Sequence, residues 1–203
     1  MTKLSVALAF LALSGSAVAS TWKSDPAHSA AGFAVKHMMV STVKGTLGPI
    51  TSTVMLDDKD ITKSKIETTI DVTKVNTGNE KRDQHLNSPE FFDTAKFATA
   101  KFVSKKIEKA GDKYKITGDL TLKDKTKEVV LDATISPEVA NPFTKMATRG
   151  VSATGTINRD DFGLIWNVPV GEGVMVGKEI KIELDVEYTK DDGKAAAPAP
   201  AKK

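Results

Sequence analysis

Apolar and polar residues alternate along most of the chain with a period of two, which is typical of strands that bury one face. The clearest run is Ile66 to Val72, and the pattern recurs in Tyr114 to Leu122, Val129 to Ile135 and Ile180 to Val186. Turn residues separate the runs at hairpin spacing, which gives about eight long strands. Since no βαβ pattern occurs, we expect an all-β chain with an antiparallel sheet.

The alternation does not distinguish a β-sandwich from a closed barrel, because both give each strand one dry face. One feature favours a hollow interior. The inward positions mix large residues such as Phe33 with small ones such as Ala133, Ala153 and Gly155. Small residues would leave room for a ligand, although a filled core also alternates small and large side chains.

Residues 77–92 interrupt the strand pattern. Thr77 and Glu80 have the spacing of a capping box, which predicts a helix with Thr77 as its N-cap. Ser88-Pro89 predicts a second helix start, because serine is a good N-cap and proline fits the first helical position. The segment ends on Phe91-Phe92, so we expect a short helical insert that caps or lines the interior.

Both ends of the chain differ from the β region. Residues 1–19 combine a basic start, an apolar run and a small-residue cleavage pattern, which predicts a secretory signal peptide. Residues 190–203 are rich in Ala, Pro and Lys and contain no aromatic or β-branched residue, so we expect a disordered tail. The folded domain would then span residues 20–189. We expect a periplasmic protein, with secretion from the cell as the alternative.

Charge and composition remove several classes of function. The chain has 29 basic and 26 acidic residues, but 24 of each remain once the predicted signal and tail are set aside. The basic excess therefore lies in the ends, and it does not indicate a nucleic-acid partner. There is no cysteine, so a hydrophobic core rather than disulfides must hold an exported domain together.

No arrangement of residues predicts catalysis, a cofactor or a metal site. His28 and His37 are nine positions apart on one predicted strand, which would place them on opposite faces. His85 follows Arg82-Asp83, and we expect a local Arg–Asp–His cluster that stabilises the insert. Asp160-Asp161 and Glu172 lie in predicted turns, where carboxylates are usually solvated. We therefore expect a protein that is not an enzyme.

Several large apolar residues lie at strand ends and in loops rather than in the middle of strands. Met38, Phe91-Phe92 and Trp166 are examples. At the rim of a barrel such residues can form the mouth of a ligand cavity. The alternative is that they fold over and close the ends of an ordinary core.

Five motifs in order resemble the YceI-like domain family over residues 21–188. They are Asp25-Pro26-x-His28-Ser29 with Phe33-x-Val35-x-His37, Lys44-Gly45-Thr46, the insert with Asn76-Thr77-Gly78, Arg82-Asp83-x-His85-Leu86 and Ser88-Pro89-Glu90-Phe91-Phe92-Asp93, then Gly118-Asp119-Leu120-Thr121-Leu122 and Asn158-Arg159-x-Asp161-Phe162-Gly163. Two positions depart from the family pattern: Asp124 replaces a turn glycine, and Ala98 replaces a proline. Aspartate tolerates positive φ, so the first change should be mild.

The resemblance implies an eight-stranded antiparallel lipocalin-like barrel in the periplasm that stores or transports a polyisoprenoid or similar long-chain amphiphile, such as an isoprenoid quinone. Transient contact with a membrane or with a donor or acceptor protein is expected. The alternative is a non-catalytic stress-response or structural interaction module with a filled core. The residues expected at the cavity and its mouth are Phe33, Val35, Met38, Ile70, Phe91, Phe92, Phe102, Leu120, Leu131, Ala153, Phe162 and Trp166.

Overall fold

The structure is a computed structural model that describes residues 19–193. Within this range the fold is almost entirely β. The strands are β1 (Ala19–Ser24), β2 (Ala30–His37), β3 (Ser41–Thr46), β4 (Ile50–Asp57), β5 (Lys65–Asp71), β6 (Thr99–Ala110), β7 (Lys113–Leu122), β8 (Lys125–Ile135), β9 (Val139–Ala140), β10 (Ala147–Asn158), β11 (Pro169–Val170), β12 (Gly173–Val174) and β13 (Val176–Lys190). One α-helix, α1 (Glu80–Asn87), and 3-10 turns at Pro26–His28, Ile61–Lys63, Val72–Lys74 and Arg159–Phe162 complete the described elements.

Eight antiparallel strands close into a barrel. Around the barrel β13, β1, β4, β5, β6, β7, β8 and β10 are each hydrogen-bonded to the next, and β10 pairs back with β13. The β2–β3 hairpin pairs with the same edge of β13 as β1 does. β2 pairs nearer the start of β13, and β1 pairs near its end. β9 extends the edge of β10, and β11 with β12 forms a separate small hairpin. The predicted eight-stranded antiparallel barrel with a short helical insert is confirmed.

The sequence over residues 43–56 predicts one strand with bends at Gly48 and Pro49, but the structure has two strands. β3 ends at Thr46 and β4 begins at Ile50. Gly48 makes the break, because its N–H donates to the Asp71 carbonyl at 2.8 Å and an added Cβ would lie 2.3 Å from that oxygen. Pro49 follows and has no N–H for a ladder bond. The glycine and proline that were expected to bend the strand therefore end it.

The helical insert contains one helix instead of two helical turns. The N-cap is Asn79 rather than Thr77, since the Asn79 side chain accepts from the Arg82 N–H at 3.1 Å. Thr77 instead donates its N–H and hydroxyl to the Asp83 carboxylate. Ser88 is the C-cap of α1, and the Phe91 N–H donates to its carbonyl at 3.0 Å, which makes a tight turn.

The small inward residues do not create the open space that was expected of them. A Cβ on Gly118 would lie 2.4 Å from the Phe102 ring, and one on Gly155 would lie 2.7 Å from a Leu131 methyl. Neighbouring large side chains already occupy the volume beside these glycines. They therefore allow close packing of Phe102 and Leu131 rather than ligand space.

A small polar network divides the interior into two apolar halves. The Tyr188 hydroxyl lies 2.8 Å from the Ser52 hydroxyl, which lies 2.7 Å from that of Thr68. Burial raises the pKa of Tyr188. On one side of the network, Trp22, Leu56 and other side chains fill most of the barrel. On the other side the interior of the barrel contains a larger cavity.

The ends of the described chain lie close to the predicted domain boundaries. Ala19 is already the first residue of β1, and β13 runs through Lys190, which was expected to begin the tail. Asp191 also donates its N–H to the Thr21 carbonyl and pairs with Lys23. Residues 1–18 and 194–203 lie outside the described residues, so the signal peptide and the tail stay predictions. Among residues 19–193, no helix has the length and apolarity needed to cross a bilayer.

Gly155→Ala should destabilise the fold by about 1–3 kcal/mol, because the new methyl would press on Leu131 in a packed wall. Gly150→Ala, on the same strand, is the control, since its Cβ would meet Ser136 at an ordinary 3.7 Å. Urea unfolding of the two variants measures the difference. Equal stability would show that the wall beside Gly155 yields easily.

Candidate functional site: an apolar cavity closed by the insert

A cavity occupies the half of the barrel on the side of α1. Its volume is about 170 Å³. Inward side chains of β2, β5, β6, β7, β8 and β13 form the wall, and the insert covers it. Thr68 and Arg159 are the polar residues of this lining. An apolar cavity of this size stays dry and accepts apolar molecules.

Eight of the twelve residues predicted for the ligand site line this cavity together. They are Phe33, Val35, Ile70, Phe91, Phe92, Phe102, Leu120 and Leu131. Strand periodicity brings most of them to one face, and the turn after α1 brings the two phenylalanines over it. Ligand binding by these side chains stays a prediction.

The other four lie elsewhere. Met38 is exposed at the tip of the β2–β3 hairpin. Ala153 is buried opposite Ala133 in the filled half of the barrel. Phe162 is 1 % exposed and packs within the cluster that supports the cavity. Trp166 contacts the insert from a loop outside the lining.

Three rings form a cover over the cavity. The His85 ring meets the edges of Phe91 and Trp166 at centroid distances of 4.9 and 4.8 Å, and Phe91 lies 5.4 Å from Trp166. Edge-on ring pairs of this kind contribute about 0.5–1.5 kcal/mol each beyond burial. His85 Nε2 also lies 2.5 Å from a Glu90 carboxylate oxygen. We refer to His85, Phe91 and Trp166 as the aromatic cover.

The predicted Arg–Asp–His cluster does not form. Arg82 donates from Nε to the Thr77 hydroxyl at 2.7 Å and from Nη2 to the Thr77 carbonyl at 2.9 Å. Asp83 accepts from Thr77 as well, whereas His85 turns to the aromatic cover. The cluster was expected because His85 follows Arg82-Asp83 closely in the sequence. The Arg82 side chain bonds to Thr77 instead of His85, and these bonds hold the start of the insert in place.

Arg159 is the main site residue that sequence reasoning missed. Its side chain is buried at the cavity wall and donates to three carbonyls: Gly177 at 3.0 Å from Nε, Val176 at 3.3 Å from Nη2, and Leu164 from Nη1. Burial lowers the pKa of Arg159, partly offset by nearby Asp160. The guanidinium ties the segment between Leu164 and Gly177 to the end of β10. Arginine beside two aspartates in a turn gave no sign of burial.

Other residues of the cavity lining were also absent from the predicted site, although the sequence pattern indicated some of them. Ile180, Ile182 and Leu184 belong to a clear alternating run, which predicted that they face inward without assigning them to the cavity. Leu47, Leu86 and Leu164 come from loops and the helix, where period-two reasoning does not apply. A rule that included every inward apolar residue of β13 would have found the first three.

None of the histidines and carboxylates considered for chemistry lines the cavity, although His85 contacts the lining residue Phe91. His28 is on the 3-10 turn before β2, not on one strand with His37, so the opposite-face prediction fails. Its Nδ1 lies 2.9 Å from an Asp25 oxygen, and Glu187 offers a third potential ligand atom within 4.8 Å. Asp160 pairs with Lys178, and Glu172 lies at the exposed β11–β12 tip.

The chain matches a known protein family over most of its length. The profile of the YceI-like domain matches residues 22–188. A UPF0312 protein of Staphylococcus aureus strain MSSA476 is 39% identical over 166 residues, which cover 81% of this chain and 95% of that protein. The chain belongs to the YceI-like family. The matched residues cover nearly all of the barrel, including the strands around both halves of its interior.

Two solved structures share this architecture. Burkholderia cenocepacia BcnA matches with a TM-score of 0.69 and 26% identity, covering 81% of this chain and 98% of BcnA. A polyisoprenoid binding domain from Saccharophagus degradans, implicated in plant cell wall breakdown, matches with a TM-score of 0.60, 12% identity and coverage of 83% and 98%. The second likeness shows the YceI-like fold alone.

The two departures from the YceI-like pattern have simple settings. Ala98 accepts a hydrogen bond from the Val72 N–H at 3.0 Å, which needs only its carbonyl. In the β7–β8 turn, Lys123 rather than Asp124 has the positive φ, at 56°. Asp124 therefore does not adopt the left-handed conformation, and the turn makes no special demand on this side chain.

Arg159→Met should lower the free energy of unfolding by about 2–4 kcal/mol, because the Gly177 and Leu164 carbonyls lose a buried donor, while the Val176 carbonyl keeps its bond from Asn167. Lys178→Met is the control: this exposed lysine pairs with Asp160 at 2.9 Å, and its loss should cost under about 0.5 kcal/mol. Urea unfolding compares the two. A loss of stability no larger than that of the control would mean that Arg159 does not hold the segment between Leu164 and Gly177 in place.

The Asp25–His28 pair should give a small pH-dependent stability. The hydrogen bond between them lowers the pKa of Asp25 from its ordinary 3.8 and raises that of His28 from its ordinary 6.5. The stabilisation is therefore full between these values, and it is lost as pH rises through the raised pKa or falls through the lowered one. His28→Gln should reduce the melting temperature more at about pH 5 than at about pH 9.

The same substitution in an Asp25→Asn background is the control, because asparagine can still accept from the Ala27 N–H but carries no charge. There the effect of His28→Gln should vary less with pH, because only Glu187 remains to favour the protonated imidazole. An undiminished variation would assign the pH dependence to a group other than Asp25.

Proposed function

We propose that the protein binds a polyisoprenoid or similar long-chain amphiphilic lipid in the barrel cavity, as a carrier or store in the periplasm. The observation that carries the proposal is the cavity itself: about 170 Å³ of open space behind an almost wholly apolar wall. Each methylene that leaves water for such a wall contributes about 0.8 kcal/mol. A prenyl or acyl chain therefore needs no polar contact to bind.

The two polar groups of the wall fit an apolar occupant. The Thr68 hydroxyl already bonds to Ser52, and the Arg159 guanidinium already donates to three carbonyls. Neither is left unsatisfied when the neighbouring space holds hydrocarbon, so an apolar chain meets little desolvation cost. A polar headgroup would find water only near the aromatic cover, which places it at that end.

The family relation supports the proposal but is not its main evidence. The name of the Saccharophagus degradans domain states polyisoprenoid binding, but that domain shares only the fold with this chain. The predicted signal peptide at residues 1–19 supports export to the periplasm. We propose a binding role without catalysis, because the candidate carboxylates lie in turns outside the cavity lining and the His85 ring packs within the aromatic cover.

The alternative of an interaction module with a filled core is less well supported. It requires the inward side chains to fill the barrel, but even the half around Trp22 keeps a small cavity of about 50 Å³. The half beneath the insert has open space that its wall does not fill.

A matched pair of substitutions on β8 tests the proposal. Val129 lines the cavity, whereas Val130 faces outward and is 48 % exposed. Val129→Phe places extra ring volume in the ligand space and should reduce co-purifying lipid at least about fivefold, while Val130→Phe should leave it unchanged. Native mass spectrometry of the exported protein, with organic extraction, measures lipid per folded chain.

Urea unfolding of both variants ensures that occupancy is compared at equal folded fraction. Wild-type protein without bound or extractable lipid would refute the proposal, as would equal occupancy in the two phenylalanine variants.

A further inference from the structure

Two neighbouring segments at the cavity end of the barrel expose large apolar side chains. Met38, Met39 and Val40 form the tip of the β2–β3 hairpin, and Ile165 and Val168 lie in the segment before β13. Val40 is 81 % exposed and Ile165 is 70 % exposed. We call these five residues the mouth collar. Single exposed apolar residues are common on proteins, but five in two adjoining loops indicate an interaction surface.

The two segments are joined to each other and to the cavity wall. The Met38 N–H donates to the Met175 carbonyl at 2.8 Å, and the Met175 N–H donates to the Val168 carbonyl at 2.9 Å. His37 pairs with Val176, which lines the cavity. The mouth collar therefore continues the apolar surface of the cavity to the outside of the molecule.

The backbone of the hairpin tip is unfavourable for the residues it carries. Met38 and Met39 have φ of 51° and 62°, in the left-handed region. Two-residue hairpin turns of this conformation prefer asparagine and glycine, and other side chains are disfavoured there. Exposed methionines are not needed to fill a core. Strain that packing does not explain is typical of functional positions.

The charged residues of the hairpin itself are basic, while Glu172 on the β11–β12 tip adjoins Gly173, which lies beside Met39. No aspartate or glutamate occurs between Asp25 and Asp57, whereas Lys36 and Lys44 both lie in this stretch. Lys36 follows the cavity-lining Val35 and so faces outward, and Lys44 pairs opposite Ala34 on the same outer face. Neither lysine has an ion-pair partner within residues 19–193. Free lysines beside exposed apolar tips match an anionic, apolar partner.

We propose that the mouth collar docks on the surface of an anionic lipid bilayer and connects the cavity to the membrane from which its ligand comes. The methionines and valines enter the headgroup region, and Lys36 and Lys44 lie at the level of lipid phosphates. The proposal rests on the proposed lipid binding, since docking at this end serves to pass an apolar chain without crossing water. Flexible apolar tips with basic flanks favour a bilayer over a protein, which would require fixed complementary pockets.

The doubly substituted variant Met38→Asn/Met39→Asn tests this directly. Asparagine removes the apolar groups and suits the left-handed backbone, so the melting temperature should stay equal or rise. Flotation with vesicles of phosphatidylglycerol and phosphatidylethanolamine measures docking, and vesicles of phosphatidylcholine test the charge dependence. We expect the variant to bind the anionic vesicles at least about tenfold more weakly than the wild type.

The control is Val139→Asn/Phe143→Asn, which removes two exposed apolar side chains at the opposite end of β10. This variant should float with anionic vesicles as the wild type does. Wild-type protein that does not float, a Met38/Met39 variant that floats equally well, or an equal loss in the control would overturn the proposal. So would a wild-type dimer that the substitution dissociates without vesicle binding, because the surface would then join two copies.

Lipid occupancy by native mass spectrometry separates this proposal from the one on which it rests. Occupied protein that ignores vesicles refutes docking and leaves lipid binding intact. Protein that binds vesicles through the collar but never carries lipid supports docking and refutes the cavity function.

Discussion

The pairing of β13 with three other strands is the interaction on which the rest of the structure depends. One edge of this long strand pairs with β10 from Glu179 to Thr189. The opposite edge pairs with β2 near its start and with β1 near its end. Without β13 the first and last parts of the sheet would be open edges. Closure at eight strands leaves an interior that side chains can just fill or that holds one small ligand.

The two halves of the barrel differ in this respect: side chains fill most of one half, and the other half contains the larger cavity. Trp22 and neighbours fill the first half, and the Tyr188–Ser52–Thr68 network separates it from the second. In the second half the strand side chains do not meet across the interior, so the space must be closed from the end. The aromatic cover and the segment tied down by Arg159 provide that closure.

The sequence predicted the parts of this structure that depend on local periodicity. Alternation identified the long strands, and inward positions such as Ile70 and Leu120 follow from it directly. It failed where a distant group decides the outcome. Asn79 rather than Thr77 caps α1 because Arg82 and Asp83 both bind Thr77. Gly48 ends a strand because Asp71 lies against it. Arg159 is buried because three carbonyls from another segment surround it, and no local pattern encodes that.

The same geometry would limit the selectivity of the cavity if it binds lipid as proposed. Since Thr68 and Arg159 already have partners, the wall offers few free polar groups to recognise a headgroup, and discrimination must come from the volume and length of the chain. One methylene more or less changes binding by about 0.8 kcal/mol, or roughly fourfold. Selectivity of that size sorts lipids by class rather than by identity. Where the barrel meets its supply of lipid would then matter as much as what the cavity prefers, and the exposed apolar residues at the cavity end are placed to control that.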